Sequence, residues 1–188
     1  MKEETLAAVP LFIFMGHVLE QAGLMERLFK SFQLILAPLR GSLYLGVLLT
    51  ATLFATATGI IGASVTVMGL MAAPAMMKAG YDPKMSAGAI AAGGTLGILI
   101  PPSTAFIIYG MLTEESIGRL LIAGIVPGIV LTVLYMLTVY GAVLIKPELG
   151  PATQRSSWRE RIVSLRSILW VAVLFVIVSW FAFGPPSP

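Results

Sequence analysis

The sequence predicts an all-α integral membrane protein, a multi-span bundle that includes a re-entrant helical hairpin and a discontinuous helix. Three observations carry this. The chain is 57% hydrophobic and 11% charged, with mean hydropathy +0.93, where a soluble domain has roughly a quarter charged residues. Its charges gather at a few junctions and leave long runs empty, the pattern of several spans. Between Gly41 and Ser103, glycine and proline are dense within apolar sequence. Unpartnered backbone in lipid is costly, so such breaks persist only where protein buries them or where they line a cavity, as in transporters.

Taken in order, Thr5 to Ala22 is a short span, with Pro10 in its first turns, where amide protons lack helical partners anyway. His17, the sole histidine, sits near the end of that span and reads as an interfacial or packed residue rather than a ligand. From Met25 to Arg40, Leu28, Phe29, Phe32, Ile35 and Leu36 share one face, while Glu26, Arg27, Lys30 and Gln33 interrupt the other. This favours an amphipathic helix in the interface, stopped by Pro38 and Gly41, over an ordinary packed connector.

Ser42 to Met77 holds no charged residue over 36 positions. Two thin spans fit it, and so does a re-entrant hairpin with its tip at Gly59 to Gly62. Residue types favour the hairpin. Thr50, Thr52, Thr56, Thr58, Ser64 and Thr66 crowd towards the tip, with Ala51, Ala55, Ala57 and Ala63 between them. Small residues permit close helix approach, and hydroxyls satisfy freed backbone or coordinate a cation.

Lys78 to Lys84 is a polar turn, with Gly80 as helix stop and Asp82-Pro83 opening the next helix. Ser86 to Gly93 and Thr104 to Leu112 are each too short to span. Joined through Gly93 to Ser103 they make one crossing, read as a discontinuous helix because Pro101-Pro102 cannot sit in a continuous one without loss. A proline-kinked span is the simpler alternative. Leu120 to Ile145 is the cleanest long span, with Pro127-Gly128 near its start. Lys146 to Arg166 carries five basic residues (Lys146, Arg155, Arg159, Arg161, Arg166) against Glu148 and Glu160. Ile168 to Phe183 is the last span, with Trp170 and Trp180 near its ends as interfacial anchors.

Placing the basic 146–166 loop in the cytoplasm puts Glu114-Glu115 outside and returns Lys30, Arg40, Lys78 and Lys84 to the cytoplasmic side. The net charge of +3 and pI near 9.4 are therefore topology signals. The expected partner is the lipid bilayer, not nucleic acid. The opening Met1-Lys2-Glu3-Glu4 is too acidic for a signal peptide.

Enzyme chemistry has little to stand on. The sequence has no cysteine, P-loop, HExxH or GxSxG motif, and no carboxylate lies inside an expected span, which argues against a relay of buried acids. No cofactor is expected. What remains is backbone and hydroxyl oxygen, suited to a hard cation such as Na⁺, and half-helix N-termini, suited to an anion. The sequence therefore points to a carrier subunit rather than an enzyme. A membrane-anchoring or assembly subunit, its glycines serving only close packing, is the alternative from another class.

The stretches VPLFIFMGHVLEQAGL, FATATGIIGASVTVMG, PAMMKAGYD, GGTLGILIPPS and AGIVPG resemble the large permease subunit (DctM type) of TRAP transporters, within the ion-transporter superfamily. The resemblance implies a secondary transporter of the inner membrane of a bacterium or archaeon. It would work with a small DctQ-type membrane subunit and a periplasmic DctP-type binding protein, moving organic acids such as C4-dicarboxylates or sialic acid on a Na⁺ gradient. It also implies an elevator motion of a transport domain built from inverted repeats. The chain then divides into a scaffold helix (1–24), an interfacial arm (25–41), half a transport domain (42–112, with hairpin 42–77 and discontinuous helix 86–112), a transmembrane helix (113–146), a cytoplasmic loop (147–166) and a final transmembrane helix (167–188). Many members carry Gly-Ser-Ser at the hairpin tip, where this chain has Gly59-Ile60-Ile61. The expected ion ligands are accordingly Thr58, Gly59, Ser64, Gly94, Thr95 and Gly97, with Na⁺ at the tip and the break. Ser64, Pro101, Pro102 and Ser103 are expected to meet substrate. Family members run to about twice this length, so the chain is expected to hold one inverted repeat and part of the scaffold.

Overall fold

The computed structural model describes residues 14, 21, 23–58, 61–101, 103–151, 169 and 173. The spans expected at 5–22 and 168–183, and most of the basic loop, lie outside these residues. Six α-helices lie among residues 23–58, 61–101 and 103–151: α1 (Leu24–Leu36), α2 (Ser42–Thr58), α3 (Ile61–Lys78), α4 (Pro83–Thr95), α5 (Thr104–Thr113) and α6 (Ile117–Ile145). Short 3-10 turns at Leu96–Ile98 and Pro147–Leu149 complete them.

Helix α1 is amphipathic. Met25, Leu28 and Phe29 are buried, while Glu26, Arg27 and Lys30 are exposed. It packs on α2, with Gly46 beside Phe29, Phe32 and Gln33 at ordinary van der Waals distance. Helices α2, α3 and α4 form the centre, with Tyr44, Phe54, Met68 and Met76 fully enclosed. Between apolar helices in lipid there is little hydrophobic driving force, so close fit carries their association.

Local sequence explains the α3–α4 corner. Gly80 takes a left-handed φ of 78°. Tyr81 donates its amide to the Met76 carbonyl at 3.0 Å, and Gly80 to that of Met77 at 3.1 Å, a Schellman closure. Asp82 then caps α4, accepting from the Met85 amide at 2.8 Å, with Pro83 at the first helical position. The same corner is tied to both neighbouring junctions. Tyr81 stacks edge-on against Tyr44 with ring centroids 4.8 Å apart, and its hydroxyl accepts the Leu43 amide at 3.4 Å. The Leu149 carbonyl, just beyond α6, accepts from the Tyr44 hydroxyl at 2.6 Å and the Asp82 amide at 3.2 Å.

Helix α6 has 29 residues, about 43 Å at 1.5 Å per residue, against a hydrocarbon core of about 30 Å. Among the described residues it is the one helix long and apolar enough to cross a membrane. Most of its surface is unburied, with Ile122, Val126, Leu137 and Ile145 among the exposed side chains. Helices α2 and α5 are apolar but shorter.

The position of the helix discontinuity differs from the sequence expectation. The expected interruption began at Gly93. In the structure the α-helix starts at Pro83, runs through Thr95 and tightens into the 3-10 turn to Ile98. Gly93 and Gly94 are thus helical residues, selected by packing rather than by a loop.

Candidate functional site

The discontinuity spans Leu99 to Ser103, between the 3-10 turn and α5. The amides of Leu99 and Ile100 both turn back to the Leu96 carbonyl, each at 3.1 Å. Pro101 and Pro102 have no N–H, so in place of a helical ladder the carbonyls of Gly97 and Ile98 lose their i+4 donors. Ser103 makes good one of these losses. Its hydroxyl donates to the Ile98 carbonyl at 2.8 Å and accepts the Phe106 amide at 3.4 Å, capping α5. Ser103 is fully buried.

Helices α2 and α3 close on the end of α4 and the 3-10 turn just before this segment, and α6 closes on the segment itself. A Cβ on Gly93 would stand 2.7 Å from the Ala51 Cβ. One on Gly97 would stand 2.6 Å from the Ala55 Cβ and 2.8 Å from the Ala55 carbonyl oxygen. The pairs Gly93/Gly97 and Ala51/Ala55 share the four-residue spacing that puts small residues on one helix face. Val65 of α3 fills the space over Gly94, which brings the start of α3, and with it the neighbourhood of Ser64, against the end of α4. From the other side, α6 offers Gly124 to the Leu99 carbonyl and the Phe106 ring, and Gly128 to Ile100.

The expected ligands are distributed as follows. Gly94 and Thr95 lie in the last turn of α4, and Gly97 lies in the 3-10 turn. Ser64 is fully buried in α3. Thr58 is the last residue of α2, and Pro101 is half-buried at the break. Gly59 and Pro102 lie outside the described residues. The hydroxyl protons are largely committed locally: Thr95 donates to the Ala92 carbonyl at 2.7 Å, Thr52 to Leu48 at 2.6 Å, and Thr56 to the carbonyls of Thr52 and Leu53. Such back-bonding satisfies the donor and leaves oxygen lone pairs as acceptors.

Beside the break lies a groove of about 340 Å³ between α2 and α6, with Thr52, Thr56, Ile100 and Thr132 in its wall. Its accessible surface is wholly apolar, because the threonine hydroxyls face their own helices; that of Thr132 donates to the Gly128 carbonyl at 2.8 Å. No cluster of three His, Cys, Asp or Glu side chains forms among the described residues. The oxygens around the break are those of backbone carbonyls and hydroxyls, which are neutral, hard donors.

Gly124 and Gly128 belong to the AGIVPG stretch, and sequence reasoning assigned them no role in the site. Their four-residue spacing was the available signal, but nothing in the sequence named the segment they face.

Among the described residues the chain is all helix, with one long apolar candidate span and a partly buried helix break, features that helical membrane proteins share. Across residues 1–188 it matches the family described as "Tripartite ATP-independent periplasmic transporter, DctM component", and the chain belongs to that family, one of transporter permeases and not of enzymes. It is 37% identical over 174 residues to the C4-dicarboxylate TRAP transporter large permease protein DctM of Pseudomonas aeruginosa, covering 93% of this chain and 40% of that protein. It is 32% identical over 184 residues to the ectoine TRAP transporter large permease protein TeaC of Halomonas elongata, covering 98% and 43%. It is 31% identical over 173 residues to the sialic acid TRAP transporter permease protein SiaT of Haemophilus influenzae, covering 92% and 28%. The chain thus spans about two fifths of the length of the first two relatives.

Proposed function

We propose that this chain is part of the large permease of a binding-protein-dependent secondary transporter, importing an organic acid anion into a bacterial or archaeal cell across the inner membrane on a Na⁺ gradient. The observation that carries this is the family match over the whole chain, with 37% identity to a C4-dicarboxylate permease. A C4-dicarboxylate or related carboxylate is the substrate class this relative favours. The partners are a small DctQ-type membrane subunit and a periplasmic DctP-type binding protein.

In this reading α2 and α3 form the re-entrant hairpin, α4 and α5 the discontinuous helix, and α1 the interfacial arm. Na⁺ is held by oxygens from Thr58, Gly59 and Ser64 on the hairpin side and from Gly94, Thr95 and Gly97 on the other. The geometry supports Gly97 most directly, since Pro101 cannot supply its carbonyl with a proton. The N-terminus of α5, capped by Ser103, faces the substrate anion, and Ser64, Pro101 and Pro102 belong to the same expected substrate contact. Elevator movement of this half against the scaffold follows from the same reading.

The test is uptake of radiolabelled succinate by proteoliposomes holding the intact permease and its small subunit, with binding protein outside and an imposed Na⁺ gradient. Uptake should require both Na⁺ and the binding protein, and should fall in Ser64→Ala and Thr95→Val. Unchanged uptake in both variants would remove these residues from the site. Uptake without binding protein would favour a different carrier of the same superfamily. The close packing at Gly93, Gly94 and Gly97 also suits a second reading, a non-transporting assembly subunit, for which no Na⁺-dependent uptake is expected.

A further inference from the structure

We infer that Gly124 and Gly128 of α6 are positioning residues for the helix break, fixing the Leu99–Ile100 backbone so that the carbonyl oxygens around it stay directed at the bound cation. This rests on the ion-coupled reading above and adds to it residues that touch neither ion nor substrate.

The glycines of α6 fall into two kinds. Gly118 and Gly141 have open space where a Cβ would be built, so an alanine fits at either. Gly124 and Gly128 have none. At Gly124 the obstruction includes the Leu99 carbonyl oxygen, a backbone atom that moves only if the break moves. At Gly128 a Cβ would stand 2.5 Å from Ile100 Cγ1. Both glycines are buried and lie four residues apart on one face. The segment they hold is the one where the helical ladder has failed, because Pro101 and Pro102 give no amide protons and the Ile98 carbonyl is taken by Ser103. Leu99 and Ile100 keep only their amide bonds to the Leu96 carbonyl, so what the segment packs against also sets its conformation. Helix α2 fixes the preceding turn at Gly97 through Ala55, and α6 fixes the segment at Leu99 and Ile100. Misplacing a supporting shell costs roughly 10–100-fold in metal affinity at well-studied sites.

The experiment is a Na⁺ titration of the purified intact permease, read as the thermal unfolding midpoint with K⁺ replacing Na⁺ at constant ionic strength. Wild type should be stabilised by Na⁺. In Gly124→Ala and Gly128→Ala, the Na⁺ concentration giving half the stabilisation should rise roughly 10–100-fold, while Gly118→Ala leaves it unchanged. Ile100→Ala added to Gly128→Ala removes the obstructing side chain and should bring the value back towards wild type. If Gly124→Ala does not fold, the Gly128 pair decides alone. Half-stabilising concentrations that match wild type in the glycine variants, whatever their stability without Na⁺, would overturn the inference and leave the ion-coupled reading standing. So would a Gly118→Ala shift as large as theirs. A wild-type protein indifferent to Na⁺ would overturn the ion-coupled reading and this inference with it.

Discussion

The Tyr44 hydroxyl donates to the Leu149 carbonyl at 2.6 Å, joining residues 105 positions apart. The same carbonyl accepts the Asp82 amide, so one oxygen ties together the first turn of α2, the α3–α4 corner and the connector after α6. These are the junctions beside Arg40, Lys78, Lys84 and Lys146, whereas Glu114 and Glu115 lie at the far end of the 29-residue α6. Arg119, in the first turn of α6, shares that far end with the two glutamates.

Replacing Tyr44 with Phe keeps the ring contact with Tyr81 and deletes the hydroxyl. The expected loss is about 1 kcal/mol, a typical net value for one hydrogen bond, because Leu149 retains the Asp82 amide. Thermal unfolding of the intact permease measures it. A neutral Tyr44→Phe would mean that the hydroxyl adds nothing to the packing and to the Asp82–Leu149 hydrogen bond.

Gly97→Ala forces a methyl group between the 3-10 turn and α2. Overpacking of this kind costs about 1–3 kcal/mol. Ala55→Gly in the same protein should restore only part of it, since the Ala55 carbonyl also lies 2.8 Å from the added carbon. Full restoration would show that the side chains alone set the spacing.

Ser103→Ala removes the α5 cap and the proton donated to Ile98. Loss of an N-cap costs about 0.5–2 kcal/mol, and Ser103→Asn should recover most of it. Substrate affinity measured beside stability separates the two roles of this residue: a stable Ser103→Asn protein with weakened substrate binding identifies Ser103 as a ligand as well as a cap.

Glu114 is the one non-glycine residue with positive φ, 58°, among the described residues, and it closes the C-terminus of α5. Glycine takes this conformation without the Cβ penalty, so Glu114→Gly should be neutral or stabilising by up to about 1 kcal/mol. A clear loss of stability would show that the interactions Glu114 makes outweigh its backbone strain.

Short-range chemistry in the sequence determined the helical class, the Gly80 stop, the Asp82-Pro83 start and the presence of a discontinuity at Pro101-Pro102. Each depends on a residue acting on its own backbone within a few positions: a left-handed φ, a side-chain cap, a missing amide proton. Which glycines break a helix and which merely pack inside one was decided only by the tertiary structure. Gly93, Gly94 and Gly97 have the same local chemistry as a loop glycine, yet Ala51, Val65 and Ala55 stand where their side chains would be, so the helix runs on to Thr95. The same holds for Gly124 and Gly128, whose absent side chains matter only because Leu99 and Ile100, remote in sequence, lie against them.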